Sequence, residues 1–284
     1  MPILNIETRH YGFVRGSSPF PNFVSKKILV EGDSWAAHPI VGGSLNNQIE
    51  ELGENDFGIL DIAQPGDEAS KMLKPGTRQR RKLDSLTTNE LYLSVFDMIF
   101  LSAGGNDIIG EELLGFVDRK VENPSKYGHK LINGKFNGAV SDVVLWYKDF
   151  LDSLVGTPNE YAKVVTHCYS YLTPRPVSLP IPPFGIQFGN GEIYRHLHGQ
   201  GITDVDEMYD IVIYMLRYFR DQMKTLEDDH DNFVISDTLE VLLGPDGKPD
   251  MSLWYDEVHP NSKGFRLVAT KIREDARARG CWPD

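Results

Sequence analysis

The feature that most constrains this chain is a repeated unit. A short apolar run without polar alternation stops at a turn sequence and gives way to a helical pattern. Residues 28–30, 57–63, 98–103, 161–167 and 233–235 are such runs. Unalternating apolar and β-branched stretches suit strands covered on both faces, as in a parallel sheet. The first run ends at Gly32-Asp33, the second at Gln64-Pro65-Gly66 and the third at Gly104-Gly105-Asn106-Asp107, all residue types that turns require. Helical spacing fills the intervals. Residues 44–52 carry an imperfect capping box, with Asn47 in place of Glu, and Gly53 as a stop; residues 140–154 and 206–226 carry apolar stripes at i, i+3, i+4 spacing. A last helix is expected over 261–278. Alternation of this kind predicts an α/β fold with a mostly parallel sheet.

The remaining segments are less regular. Residues 1–26 read as a lead-in without a core of its own. Residues 67–96 form a polar helical stretch interrupted at Lys74-Pro75-Gly76, and its cluster Arg78, Arg80, Arg81 and Lys82 reads as a solvated face. Asn133-Gly134-Lys135 suggests a tight turn, with a short hairpin over 130–136. Residues 173–205 are a proline- and glycine-rich insertion containing Phe184, Phe188 and Tyr194. It is too long for an ordinary connection, so it is read as a lid or pocket wall in a single domain spanning 1–284. His196 and His198 within it have no third ligand in view, and no metal is expected there.

Composition narrows the function. With 284 residues, 40% hydrophobic and 11% aromatic, the chain can bury a substantial core. A net charge of −12 disfavours nucleic acid or an anionic membrane as partner. Cys168 and Cys281 offer neither a disulfide framework nor metal-type spacing. The first residues lack the apolar core of a signal peptide and no later stretch is long enough to span a bilayer, so a cytoplasmic protein is expected.

Chemistry gathers at the ends of the apolar runs. Ser34 falls just past the first, where open α/β sheets place their ligands. A serine hydroxyl needs a base, usually a histidine oriented by a carboxylate, to act as a nucleophile. Asp256 and His259 stand three residues apart at the entry to the last helix, and Pro260 suits that helix's first turn. Acyl transfer also needs donors for the developing oxyanion. The Ser34 N–H, the Gly66 N–H and the Asn106 side-chain amide sit at three successive run ends and are the candidates.

This combination resembles the SGNH hydrolases, the GDSL esterase/lipase family. The blocks here are EGDSW at Ser34, AQPGDE at Gly66, GGND at Asn106 and DEVHP at Asp256 and His259. The second block is the loosest, because Gln64 or Asp61 stands where that family often has asparagine. The resemblance implies a three-layer α/β/α sandwich with a five-stranded, flavodoxin-like sheet. It further implies ester hydrolysis through a serine acyl-enzyme without cofactor or metal. In it Ser34 is the nucleophile, His259 the general base, Asp256 its orienting partner, and Ser34, Gly66 and Asn106 the oxyanion hole. Trp35 departs from the common wording and either walls the acyl pocket or packs under the first helix. The substrate, an acetylated carbohydrate, a short-chain or lipid ester, or a thioester, stays open. Two other readings compete. One is a non-catalytic flavodoxin-like protein that binds a small ligand at the same sheet edge. The other is a metal-dependent hydrolase using Asp33, Asp107 and histidines.

Overall fold

The structure, a computed structural model, describes residues 4–5, 20, 25–38, 43–53, 57–88, 95–110, 112–118, 128–176, 179–181, 186–188 and 191–283. All five expected strands form. They are β2 (Lys26–Gly32), β3 (Phe57–Asp61), β4 (Met98–Ser102), β5 (Lys163–His167) and β8 (Phe233–Ser236). Their apolar side chains are almost wholly inaccessible, as strands sandwiched between two helical layers must be. A two-residue strand, β1 (Leu4–Asn5), pairs with the end of β3 and makes six. It lies in the stretch read as a lead-in, and two residues are too few to leave a periodic signal.

All pairings in this sheet are parallel, in the order β1-β3-β2-β4-β5-β8. Without β1 this is the flavodoxin-like 2-1-3-4-5 order, whose switch point falls between the first and third strands, here β2 and β4. Right-handed crossovers then dictate the layers. The step from β2 to β3 runs one way along the sheet and carries α1 (Leu45–Leu52). The later steps run the other way and carry α2 (Ala69–Met72), α3 (Arg78–Thr87), α4 (Gly105–Ile109), α5 (Leu113–Phe116), α6 (Gly134–Ser153) and α8 (Val205–Lys224). The final helix, α10 (Ser262–Ala278), returns to pack on α1, while α6 packs on α8.

The helices begin where side chains can satisfy their open N–H groups. Asp204 caps α8 through the amides of Asp206 and Glu207, and Asn261 caps α10 through those of Lys263 and Gly264. The methionine-rich stripe of α8 is fully buried against the core, as its period requires. Asn133 caps α6, which therefore starts at Gly134 and not near residue 140. The hairpin expected over 130–136 is absent, because Asn serves a helix cap as well as a turn. A 3₁₀ turn at Gly128–Leu131 precedes it.

Two further expectations need correcting. Arg80 does not lie on a solvated face. It is buried, stacks on Phe150 and donates to the Leu73 carbonyl, Ser153 Oγ and the Asp84 carboxylate, with Asp149 also beside it. Within 173–205 there is regular structure. A two-stranded antiparallel ribbon, β6 (Leu179–Ile181) with β7 (Ile186–Phe188), is followed by α7 (Glu192–Gly199), and a short α9 (Leu226–Asp229) later precedes β8. Phe184 and the side chain of Phe188 lie outside the described residues. His196 and His198 are on α7.

The turn after β4 is a tight joint. Gly104 adopts φ 112°, and a Cβ there would lie 2.8 Å from the Phe219 ring of α8 and 3.3 Å from Val143 of α6. Gly104→Ala is expected to cost about 2–4 kcal/mol by combining backbone strain with overpacking. Denaturant unfolding measures it; a variant within about 0.5 kcal/mol of the parent contradicts the packing described.

Candidate active site

Ser34 occupies the turn that closes β2. The chain leaves the strand with the Asp33 amide donating to the Ser102 carbonyl at the end of β4, 2.9 Å, and turns with the Ala37 amide donating to the Asp33 carbonyl, 3.1 Å. Gly32 permits this approach, since a Cβ there would meet the Ser102 Cβ at 2.7 Å. Ser34 is left half-exposed at the switch point.

The loop before α10 brings His259 and Asp256 to the Ser34 side chain. His259 Nε2 lies 2.7 Å from Ser34 Oγ, and His259 Nδ1 lies 2.8 Å from Asp256 Oδ2. An ionised carboxylate only accepts, so Nδ1 carries the proton and Nε2 accepts from the Ser34 hydroxyl. Burial pushes the Asp256 carboxyl up, but its hydrogen bond and charge pairing with His259, together with the backbone amides of His259 and Val258, outweigh this. They hold it below the ordinary carboxylate range. Asp256 Oδ1 takes both amides, at 2.7 and 2.8 Å, which fixes the carboxylate's orientation.

A second Ser-His-Asp set lies beneath. Ser102 Oγ is 2.9 Å from both Asp33 Oδ1 and His167 Nε2. Its polarity is fixed from one end. The Tyr169 amide donates to His167 Nδ1, 3.2 Å, so in the neutral ring Nε2 is the protonated nitrogen and donates to Ser102. Burial alone pushes the His167 pKa down to about 3, which keeps the ring neutral. The Ser102 hydroxyl in turn donates to Asp33, which also accepts from the Tyr169 hydroxyl and the Trp35 amide. His167 thus faces Ser102 as a donor and is not placed to take its proton. Ser102 and His167 are also wholly inaccessible. This set is a brace under the Ser34 turn.

Trp35 packs inward beside the serine turn. It is buried against Phe265, Trp254 and Tyr169 and stacks on His167, yet it also lines the cavity beside Ser34. Its indole N–H donates to the Val258 carbonyl, 3.0 Å, joining the serine turn to the histidine loop. Sequence reasoning assigned no role to Glu257, which performs a similar task. Buried between Asp256 and His259 in sequence, it accepts from the Ile193 and Tyr194 amides in the first turn of α7 and from the Arg175 amide. Arg175 also donates to the Asp256 carbonyl. Burial raises the Glu257 pKa to about 7 against the pull of those amides.

The oxyanion candidates are placed unequally. Asn106, in the first turn of α4, donates one amide hydrogen to the Asp67 carbonyl, 2.7 Å, and lines the same cavity as Ser34 and His259. Gly66 lies one residue before Asp67 on an exposed turn with φ 82° and is not among the cavity's lining residues. Asp107, adjacent to Asn106, caps α2 by accepting from Ala69 and Ser70. The cavity is about 40 Å³, and Ile109, Leu172, Ile193 and Val258 supply its apolar walls. Glu192 and Ile193 of α7, within the proline-rich insertion, are among the residues lining the cavity.

Asp33 and Asp107 have their carboxylates engaged as described and form no metal-type cluster with each other. Among the described residues, one such cluster exists, His38, Asp256 and His259. The His38 ring sits edge-on to His259 with centroids 4.4 Å apart. Burial and the neighbouring His259 push its pKa down to about 4. Both cysteines are buried free thiols, and no described helix is long and apolar enough to cross a membrane.

No protein-family model and no curated protein matches this chain. Solved structures do. A lipase from a goat rumen metagenome is 18% identical, with 90% of this chain and 98% of that one covered and a TM-score of 0.50. A Streptococcus pneumonia protein provisionally named a platelet activating factor gives 13% identity, coverage of 94% and 88%, and a TM-score of 0.55. A Bacteroides fragilis protein provisionally named an acylhydrolase gives 10%, 96%, 94% and 0.50 respectively. This chain therefore shares its fold with them, the α/β/α arrangement that the SGNH resemblance implies.

Glu257→Gln places an amide N–H₂ against backbone N–H donors and is expected to cost about 1–3 kcal/mol. Because the folded-state pKa of Glu257 is raised, the native protein holds the extra proton. Stability from this group is full below about pH 4.5 and is lost as pH rises through about 7. Urea unfolding across that window checks both statements; a pH slope unchanged in the variant refutes the assignment.

Proposed function

We propose that this chain, built on the sheet and loop arrangement of the SGNH hydrolases, is a serine esterase with Ser34, His259 and Asp256 as its triad. The unbroken hydrogen-bond chain from Ser34 Oγ through His259 to Asp256, at the mouth of a cavity, supports this most directly. The Ser34 oxygen attacks the ester carbonyl while His259 Nε2 takes its proton, and Asp256 stabilises the imidazolium that results. Negative charge on the carbonyl oxygen is met by the Ser34 N–H and the second hydrogen of the Asn106 amide, both at the cavity, with the exposed Gly66 N–H left outside its lining. Collapse expels the alcohol, which leaves with the proton from His259. A water then attacks the acyl-enzyme, giving its proton to His259, and the acid departs as the proton returns to Ser34.

The small apolar cavity favours a short acyl group, such as acetyl, with the alcohol portion directed outward. A ligand-binding protein at this sheet edge would need the turns but not a serine aligned on an oriented histidine, so the esterase accounts for more of what is present.

Fluorophosphonate labelling with peptide mapping tests the nucleophile. Modification is expected at Ser34, lost in His259→Ala, and absent at Ser102; label on Ser102 overturns the assignment. Ser34→Ala and His259→Ala are expected to lower kcat by about 10⁴–10⁶ and Asn106→Ala by about 10²–10³. On a series of p-nitrophenyl esters, kcat/KM for acetate should exceed that for octanoate by at least about tenfold. Equal values would place the acyl chain outside this cavity.

A further inference from the structure

We propose that His38, Asp256 and His259 form a binding site for a divalent zinc-like cation, and that its occupation switches the enzyme off. His38 comes from the end of the serine turn and the other two from the loop before α10, so two separate segments converge on one point. One ligand atom from each residue lies within 4.8 Å of the other two. The His38 ring is held there by ring contacts to His259 and Tyr255. Two imidazoles and a carboxylate, with a further position left for water, are the donor set of many tetrahedral zinc sites. At zinc–ligand distances of about 2.0–2.1 Å the ligand atoms stand about 3.4 Å apart, so closure takes side-chain movements of about an ångström. Borderline cations that favour imidazole fit this set; magnesium and calcium, which demand several oxygens, do not.

Inhibition follows from how His259 is used. Nε2 receives the Ser34 hydroxyl and Nδ1 donates to Asp256. A coordinate bond from Nε2 displaces the serine, and one from Nδ1 displaces that nitrogen's proton and the carboxylate. Either way the imidazole is no longer a base aligned on Ser34. The site is thus antagonistic to the triad, and differs from a metal-dependent hydrolase built on Asp33 and Asp107.

The experiment uses chelator-treated protein and zinc chloride, with magnesium and calcium as controls. Isothermal titration of zinc into Ser34→Ala, which needs no activity, should give one ion per chain with micromolar affinity. Adding His38→Phe, which keeps a ring but removes its nitrogens, should weaken binding at least tenfold. In the ester assay zinc should inhibit the parent reversibly, with EDTA restoring the rate. His38→Phe should need at least tenfold more zinc while keeping its metal-free rate within about threefold. Zinc binding or inhibition unchanged by His38→Phe, or no binding to Ser34→Ala, overturns the site. His38-dependent binding in a protein that hydrolyses no ester would retain the site and remove the esterase reading.

Discussion

The carboxylate of Asp33 ties together the ends of three adjacent strands. It follows β2, accepts the hydroxyl of Ser102 that ends β4, and accepts the hydroxyl of Tyr169 just beyond β5. A buried carboxylate is costly unless its lone pairs are used, and here a backbone amide and two hydroxyls use them. Burial still raises its pKa above the ordinary range. The arrangement is closed and directional, running from the Tyr169 amide through His167 and Ser102 to Asp33. Tyr169 is the one described non-glycine residue with positive φ, 64°. That strain turns its ring onto Asp33 and over Gly105, where a Cβ would lie 2.6 Å from the ring. Ser34 is therefore rigid because the residue before it is anchored to two neighbouring strands.

Much of this was legible in the sequence where local composition decides the outcome. The strands announced themselves because a doubly covered strand tolerates little polarity, and the hydrogen-bonded set of Ser34, His259 and Asp256 did because the serine follows an apolar run while acid and histidine sit three residues apart before the last helix. The parts that were not legible depend on partners far away along the chain. Arg80 looked like one cation among several; its burial needs Leu73, Ser153 and Asp149 around it. Asn133 carried a true signal for a chain reversal, but the same side chain caps a helix. Glu257 and His38 were silent because their neighbours come from residues 175, 193, 194 and 255 to 259. One signal was available and unread: Ser102 and His167 are polar residues closing apolar runs, and a polar group at a buried strand end needs a partner.

Trp35 and Glu257 join the site to its surroundings in complementary ways. The indole N–H binds the histidine loop to the serine turn, and the glutamate binds the same loop to α7 and Arg175. Residues 256–259 consequently bear on both the base and the Ile193 wall of the cavity. The wall of the cavity and the imidazole are thus both tied to one short segment.

Ser34 and His259 are separated by 225 positions along the chain. Ser34 lies in the turn after the first of the five principal strands, and His259 in the segment between the last of them and α10. During ribosomal synthesis Ser34 emerges long before His259. The contact between Ser34 and His259 therefore needs nearly the whole chain, and the segment that supplies it leads directly into the helix that packs on α1.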